Sequence, residues 1–230
     1  MKTYFVTGID TDIGKSIVCG LLARYLRTTH IKYITAKLVQ TGCEEIAEDL
    51  STHRKLEGIA LLPEDRQQAT CPYIFKFPAS PHLAAEMEDR EISPEQIKSC
   101  IDNLTRQYEC VLVEGAGGFM VPLTRQLLTC DFVAEEKYSL IIVSSGRLGS
   151  INHTLLTIEA AINRNVEIAG VVYNNYPHEH EAIASDSIKV IKSWMRSKNI
   201  DAPVIQSPLV KDLSDLPDID FSEIFKGVLK

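Results

Sequence analysis

The most informative segment of the sequence is Gly8-Ile9-Asp10-Thr11-Asp12-Ile13-Gly14-Lys15-Ser16. It follows an apolar run (residues 4–7) that is typical of a buried strand, and it precedes a segment whose apolar side chains recur at the helical period. A glycine-rich turn in this context favours phosphate binding, because the following helix presents free backbone N–H groups to an anion. Lys15 would neutralise the outer phosphates and the Ser16 hydroxyl would hold Mg²⁺. Five residues rather than the common four separate the two glycines. We still expect a nucleoside triphosphate site.

Five further apolar runs indicate strands at residues 33–36, 111–113, 140–143, 168–173 and 204–205. Segments with helical periodicity lie between them, and Ser93 followed by Pro94 is a typical helix start. Alternating strands and helices predict an α/β fold with a doubly wound, mostly parallel sheet, of the kind found in P-loop nucleotide-binding proteins. The segment from residue 42 to 81 has the weakest pattern, and we expect short helices and loops there. We expect residues 1–230 to form one domain.

Composition and charge argue against a nucleic-acid-binding protein and against a membrane-spanning one. The chain of 230 residues carries 24 basic and 31 acidic side chains, for a net charge of −7, and has no basic stripe, so we expect no nucleic-acid partner. No apolar run approaches 18 residues, so we expect no membrane span. The six cysteines form no C-x-x-C pair and lie in apolar stretches, as reduced core cysteines do. We expect a cytoplasmic protein.

Two more strand ends carry residues suited to this site. Lys37 ends the second predicted strand, and Glu114 ends the strand at residues 111–113 and is followed by Gly115-Ala116-Gly117-Gly118. Ligands of open parallel sheets bind outside the carboxyl ends of the strands, so both side chains are expected beside the phosphate loop. A carboxylate there is a good Mg²⁺ ligand, because hard cations prefer oxygen. The glycines allow the backbone to approach a ligand closely.

These motifs together resemble dethiobiotin synthetase. The remaining matches are Thr41-Gly42, Ser80-Pro81-His82, Leu148-Gly149-Ser150-Ile151-Asn152-His153 and Gly170 with Asn174. The resemblance implies a homodimeric, ATP- and Mg²⁺-dependent ligase of biotin biosynthesis. It also implies the substrates: 7,8-diaminononanoate (7,8-diaminopelargonate), CO₂ and ATP, from which the enzyme closes the ureido ring of dethiobiotin through a carbamate and a carbamic-phosphoric anhydride.

The resemblance also implies roles for individual residues. The catalytic residues would be Lys37, Lys15 and Thr11. The Mg²⁺ ligands would be Ser16, Asp49 and Glu114. For the acidic ligand after Thr41-Gly42, Asp49 fits best, and Glu44, Glu45 and Glu48 remain alternatives. Lys37 is followed by Leu38, where the family usually has proline. The implied ATP-binding set is Asp12, Ile13, Gly14, Lys15, Ser16, Ile17, Asp49, Glu114, Gly115, Ala116, Gly117, Asn174, Asn175, Pro208, Leu209 and Asp212. The implied substrate-binding set is Lys37, Thr41, Gly149, Ser150, Ile151 and Asn152, the last four reaching across the dimer.

A switch ATPase of the partition or septum-positioning type is the alternative function. Such ATPases carry a second lysine five residues before the loop lysine, and this chain has Asp10 there. The sequence His178-Glu179-His180 suggests a metal site, but its spacing is more typical of a solvated loop.

Overall fold

The computed structural model describes residues 1–177, 180–210, 212 and 216–229. Its main sheet has six strands in the order β2-β5-β1-β6-β7-β8, and every neighbouring pair is parallel. The strands are β1 (Lys2–Gly8), β2 (Tyr33–Lys37), β5 (Cys110–Gly118), β6 (Ser139–Ser145), β7 (Ile168–Asn174) and β8 (Val204–Ser207). All six strand predictions are therefore confirmed, as is the doubly wound α/β class. Because the strands are parallel, their carboxyl ends share one edge of the sheet.

Helices connect these strands, as the alternating pattern predicted. They are α1 (Lys15–Arg27), α2 (Glu48–Glu57), α3 (Pro63–Arg66), α4 (Pro81–Met87), α5 (Pro94–Thr105), α6 (Thr129–Glu135), α7 (Ser150–Ile162) and α8 (Glu181–Ser197). The predicted start of α5 is confirmed, since the Ser93 hydroxyl accepts a hydrogen bond from the Gln96 backbone N–H at 3.1 Å. His180 caps α8 by accepting from the Ala182 N–H. Residues 178 and 179 of the His-Glu-His sequence lie outside the described residues.

Strand β5 extends further than the sequence predicted. It continues past Glu114 to Gly118, and its pairing with β1 shifts between Val6 and Gly8. The irregularity coincides with Gly117, whose φ of 71° is in the left-handed region that favours glycine. Lys37 and Glu114 are directly paired in the register of β2 and β5. The two predicted strand-end residues therefore start from neighbouring backbone positions.

The segment from residue 42 to 81 contains short helices and loops, as expected, but a second sheet was not predicted. Strands β3 (Gln40–Thr41) and β4 (Ile74–Phe75) pair in parallel outside the main sheet. Helix α2 packs on α1, where a Cβ at Gly20 would lie 2.5 Å from Leu56 Cδ1. Gly20 thus permits the close approach that brings α2 to the phosphate loop.

The interior is apolar, and its cysteines are part of it. The core includes the strand interiors and the inner faces of α1 and α5, with Tyr4, Leu22 and Phe225 fully buried. All six cysteines lie in the described part of the chain and carry free thiols, five of them buried and Cys100 half-buried. Among the described helices, none combines the length and the hydropathy needed to cross a bilayer.

Candidate active site

The phosphate loop occupies the turn between β1 and α1 in a left-handed conformation. Asp12 has a φ of 54° and Gly14 a φ of 81°, which turns the chain sharply into the helix. Lys15 begins α1, and its Nζ reaches back to donate to the Asp10 carbonyl at 3.0 Å. This loop shape exposes the first N–H groups of α1 toward the cleft, where they can bind an anion.

The cleft beside this loop has a volume of about 610 Å³, within the range of small-molecule sites. It brings together most of the sequence-predicted residues around the strand ends. The lining consists of Thr11, Asp12, Gly14, Lys15, Ser16, Ile17, Lys37, Val39, Gln40, Thr41, Asp49, Thr52, Glu114, Ala116, Gly117 and Tyr176. Val39, Gln40, Thr52 and Tyr176 were not among the predicted site residues.

Three oxygen donors converge at the bottom of the cleft. The Ser16 hydroxyl lies 2.7 Å from Asp49 Oδ1 and 3.0 Å from Glu114 Oε1. Hydroxyl and carboxylate oxygens are the ligand types that Mg²⁺ prefers, so the donor set fits this ion. Asp49 lies in the first turn of α2 and faces the cleft, whereas Glu44, Glu45 and Glu48 are exposed.

Lys37 is buried among these carboxylates. Its Nζ donates to Glu114 Oε1 at 2.9 Å and to the Gly115 carbonyl at 3.1 Å, and it forms an ion pair with Asp49. Burial disfavours the ammonium, but the charges of Glu114 and Asp49 outweigh burial and raise the pKa of Lys37. Lys37 is therefore a cation at neutral pH.

Burial and neighbouring charges also shift the pKa values of two further groups in the cleft, Glu114 and Lys15. Burial alone would raise the pKa of Glu114, but Lys37 and His53 overcompensate and hold that pKa well below its usual value. Burial lowers the pKa of Lys15, with Glu114 opposing that shift and Lys37 adding to it. The cleft thus holds two lysines whose charges interact, next to an ionised carboxylate.

The remaining sequence-predicted residues lie on either side of the phosphate loop. Asn174 ends β7, and its Nδ2 donates to the Ile13 carbonyl at 2.7 Å. The Asn175 N–H donates to the Ser207 carbonyl at 2.9 Å, which places it beside the end of β8. Pro208, Leu209 and Asp212 follow β8.

The start of α7 lies on the other side of the loop. Gly149 has a φ of 89° at its N-cap, Ser150 is buried with its Oγ donating to the Arg147 carbonyl, and Ile151 and Asn152 follow in the first turn. Arg147 forms an ion pair with Asp10. This ion pair ties the start of α7 to the phosphate loop.

Comparison with known proteins identifies the family. A family model described as an AAA domain matches residues 2–205. The chain is 48% identical over 201 residues to the ATP-dependent dethiobiotin synthetase BioD of Chlorobaculum tepidum, covering 87% of this chain and 84% of that one. It is 45% identical over 194 residues to the ATP-dependent dethiobiotin synthetase BioD 2 of Pasteurella multocida, covering 84% and 91%. The chain belongs to the dethiobiotin synthetase family.

Membership of this family makes the chain a P-loop ligase of biotin biosynthesis that uses ATP. Solved structures with the same fold are more distant. A ParA family ATPase from Chlorobium tepidum aligns with a TM-score of 0.55 at 14% identity, covering 99% of this chain and 90% of that one. The pNOB8 ParA bound to nonspecific DNA aligns with a TM-score of 0.57 at 14% identity, covering 89% and 79%. At this identity the likeness extends to the fold alone.

Proposed function

We propose that this member of the dethiobiotin synthetase family closes the ureido ring of dethiobiotin from 7,8-diaminononanoate, CO₂ and ATP, with release of ADP and phosphate. The observation that carries the proposal is the buried Lys37 ammonium beside the phosphate-loop Lys15. Its Nζ donates to Glu114 at 2.9 Å, in the cleft that Thr11 and Thr41 also line. A second fixed cation next to a phosphate site suits a reaction in which a carboxylate-like oxygen accepts a phosphoryl group.

The proposed chemistry has three steps. One amine of the substrate attacks CO₂ and loses a proton, giving a carbamate. A carbamate oxygen then attacks the γ-phosphorus of ATP, the bond to ADP breaks, and a carbamic-phosphoric anhydride forms. The second amine attacks the anhydride carbon, the bond to phosphate breaks, and the ring closes with loss of a proton.

The chain's own residues stabilise the charge that collects at one place in these steps. We assign Lys37 to the carbamate and the transferring phosphoryl group, Lys15 and Thr11 to the phosphates, and Thr41 to the substrate. Ser16, Asp49 and Glu114 would hold Mg²⁺, which when bound neutralises phosphate charge. Asn174, Asn175, Pro208, Leu209 and Asp212 would surround the base and ribose, and the backbone from Glu114 to Gly117 would contact the phosphates or substrate.

The decisive experiment measures ADP release with ATP, bicarbonate and 7,8-diaminononanoate, and with each component omitted. We expect turnover only when all three are present. A regioisomer whose amines are not vicinal serves as the control, because it cannot close a five-membered ureido ring. ADP release that does not depend on the diamine would contradict the proposal and favour a switch ATPase.

A Lys37→Gln variant tests the assignment of this residue. Because Lys37 would act mainly in the transition state, kcat should fall about 10²–10³-fold while ATP affinity changes little. Lys37→Arg should not restore full activity, because a planar guanidinium cannot occupy the place of a compact ammonium. Loss of ATP binding with intact saturated turnover would instead make Lys37 a nucleotide clamp.

We further propose a homodimer in which Gly149, Ser150, Ile151 and Asn152 of one subunit bind the distal carboxylate of the substrate in the other. Support comes from exposed apolar side chains around α7: Leu148 is 86% exposed and Leu156 is 61% exposed. Leu156 and Met120 line a shallow cavity that Thr11 joins to the phosphate loop. Sedimentation should give a dimer at micromolar concentration, and a fully active monomer would contradict this arrangement.

A further inference from the structure

Helix α2 carries a histidine that the sequence motifs do not include and that reaches the active site from below. His53 is fully buried, and its Nε2 lies 2.7 Å from Glu114 Oε2. Its Nδ1 lies 3.1 Å from the Thr35 hydroxyl on β2. His53 thus bridges the strand that ends in Lys37 and the carboxylate that faces the cleft.

The direction of these hydrogen bonds follows from the partners. Glu114 is an ionised carboxylate and can only accept, so the Nε2 of His53 carries a proton. The Thr35 hydroxyl accepts from Arg54 at 2.7 Å and can therefore give its own proton to Nδ1. In this arrangement the ring orientation of His53 is fixed at both nitrogens.

The far end of this chain of contacts is rigid. Arg54 donates to both oxygens of Asp65, at 2.8 and 2.9 Å, and to Glu57 at 2.7 Å. All three side chains are buried. A bidentate arginine–carboxylate pair fixes geometry as well as charge, so Thr35 is held in place beneath His53.

The bond from His53 determines which oxygen of Glu114 is available. Oε2 is engaged by the ring, while Oε1 faces the Ser16 hydroxyl at 3.0 Å and Lys37 at 2.9 Å. Asp49 and His53 are four residues apart on α2, so they share one face of that helix. One helix therefore supplies a carboxylate to the cleft and, one turn later, the group that orients the other carboxylate.

We propose that His53 is a positioning residue that holds the Glu114 carboxylate with Oε1 directed at the Mg²⁺ of the bound nucleotide. The inference rests on the proposed function, in which Glu114 is a Mg²⁺ ligand. Groups that hydrogen-bond a metal ligand set its orientation, and losing one lowers metal affinity.

A metal site formed by His53 itself with Glu114 and the nearby Cys19 is the competing interpretation of this cluster. The three potential ligand atoms lie within 4.8 Å of one another. However, the Nε2 of His53 is already hydrogen-bonded to Oε2 of Glu114. Burial also raises the pKa of the Cys19 thiol well above its usual value, which disfavours the thiolate that binds metals. Orientation of Glu114 is the function that the contacts support.

The test measures Mn²⁺ affinity by electron paramagnetic resonance in the presence of a non-hydrolysable ATP analogue. In His53→Leu, which removes the donor, we expect the affinity to fall about 10–100-fold, the usual cost of losing such a partner. In His53→Gln, whose amide can still donate to Glu114, we expect affinity within about threefold of wild type on the same reasoning. Metal-free binding of the analogue should be nearly unchanged in both variants.

Thr70→Val is the matched control. The buried Thr70 hydroxyl donates to Asp65 at 2.8 Å, so the variant loosens the same network without touching Glu114. It should lose stability and keep its Mn²⁺ affinity. If His53→Leu does not fold, Thr35→Val removes the support of the ring instead and should also weaken Mn²⁺ binding, though less.

Several outcomes would overturn the proposal. Mn²⁺ affinity within twofold of wild type in a folded His53→Leu protein would show that the ring does not orient Glu114. An equal loss in Thr70→Val, or an unrescued loss in His53→Gln, would point to general loosening or packing. If wild type binds no Mn²⁺ with the nucleotide analogue, the proposed metal site itself fails, and the role of His53 fails with it.

Discussion

Different interactions maintain the two sides of the cleft, the phosphate-loop side and the α2 side. On the phosphate-loop side, positive φ angles at Asp12 and Gly14 and one contact from Lys15 to the Asp10 carbonyl shape the site within nine consecutive residues. On the α2 side, the shape depends on buried ionic contacts between distant parts of the chain, such as Arg54 with Asp65 and His53 with Glu114.

This difference separates the consequences of damage on the two sides. A charge on the loop lines the cleft where a ligand would bind, so its loss should affect ligand chemistry more than folding. The buried contacts of His53, Arg54, Glu57 and Asp65 form what we call the α2 network. A charge in this network is buried, and removing its partner leaves it uncompensated. Substitutions on the phosphate-loop side should therefore reduce activity while the protein stays folded. Substitutions on the α2 side should reduce stability first.

The largest effect is expected for Lys15→Ala. Loss of a charge clamp on the transferring phosphoryl group should reduce kcat at least about 10³-fold. The free energy of unfolding should change much less, because within the described part of the chain the Lys15 side chain makes a single hydrogen bond, to the Asp10 carbonyl. Parallel turnover assays and urea titrations check both parts. Near-normal kcat in a folded variant would contradict the phosphate-loop assignment.

Arg54→Met breaks the other side of the comparison. The variant leaves Asp65 and Glu57 buried without their cation, and we expect a loss of about 3–5 kcal/mol in unfolding free energy. Arg125→Met is the control, because Arg125 also makes a two-pronged ion pair, with Glu86, but on the surface. Its loss should change the unfolding free energy far less, because exposed ion pairs are screened by water. Equal losses in urea denaturation would mean that burial does not separate the two pairs.

The sequence predicts the phosphate-loop side of the cleft better than the α2 side. Gly14, Lys15 and Ser16 are adjacent in the chain, so their joint function is visible in the sequence. Lys37 and Glu114 were predictable because each directly follows an apolar run of residues, and the carboxyl ends of parallel strands meet at one edge of the sheet.

The α2 network was not predictable in this way. The partners of His53 are 18 and 61 residues distant, and contacts at such separations depend on how α2 packs. The one local signal was the i,i+4 spacing of Asp49 and His53, which places both on one helix face. Strands β3 and β4 are two residues each, too short for any periodic pattern to indicate them.

Gly20→Ala acts at the contact between α1 and α2, where the two sides of the cleft meet. The added Cβ would lie 2.5 Å from Leu56 Cδ1 and 2.9 Å from Leu56 Cβ, so rotation of that side chain cannot remove the whole clash. Overpacking typically costs about 1–3 kcal/mol, and the better helix propensity of alanine returns about 1, so we expect a net loss of at most about 2 kcal/mol.

Leu56→Ala provides the compensating background for this test. Without the Cγ and Cδ1 atoms of Leu56, Gly20→Ala should cost less than it does in wild type, because the helix propensity gain remains and only the approach to Cβ of residue 56, at 2.9 Å, is left. Urea denaturation of the four proteins in this double-mutant cycle measures the coupling. Additive losses would mean that the two helices adjust independently at this contact.

The smallest expected effect is a loss of stability at acidic pH that comes from one carboxylate of the α2 network, Asp65. Burial would raise the pKa of Asp65, but the hydrogen bonds and charge of Arg54 lower it further than burial raises it, so the net pKa is below the usual value. The aspartate of the unfolded chain has a pKa of about 3.9, so from about pH 6 upward the carboxylate is ionised in both the folded and the unfolded chain, and its pairing contributes fully to stability. As the pH falls below that value, the unfolded chain takes up the proton first. The contribution is therefore lost progressively until the folded carboxyl is protonated too.

Asp65→Asn lacks this titration, while every other carboxylate titrates in both proteins and cancels in the difference. The urea midpoints of wild type and Asp65→Asn should differ most near pH 6 and approach each other toward pH 3. A gap that stays constant over that range would mean that Asp65 is no more acidic in the folded protein than in the unfolded chain, and that the pairing with Arg54 adds shape to the α2 side rather than charge stabilisation.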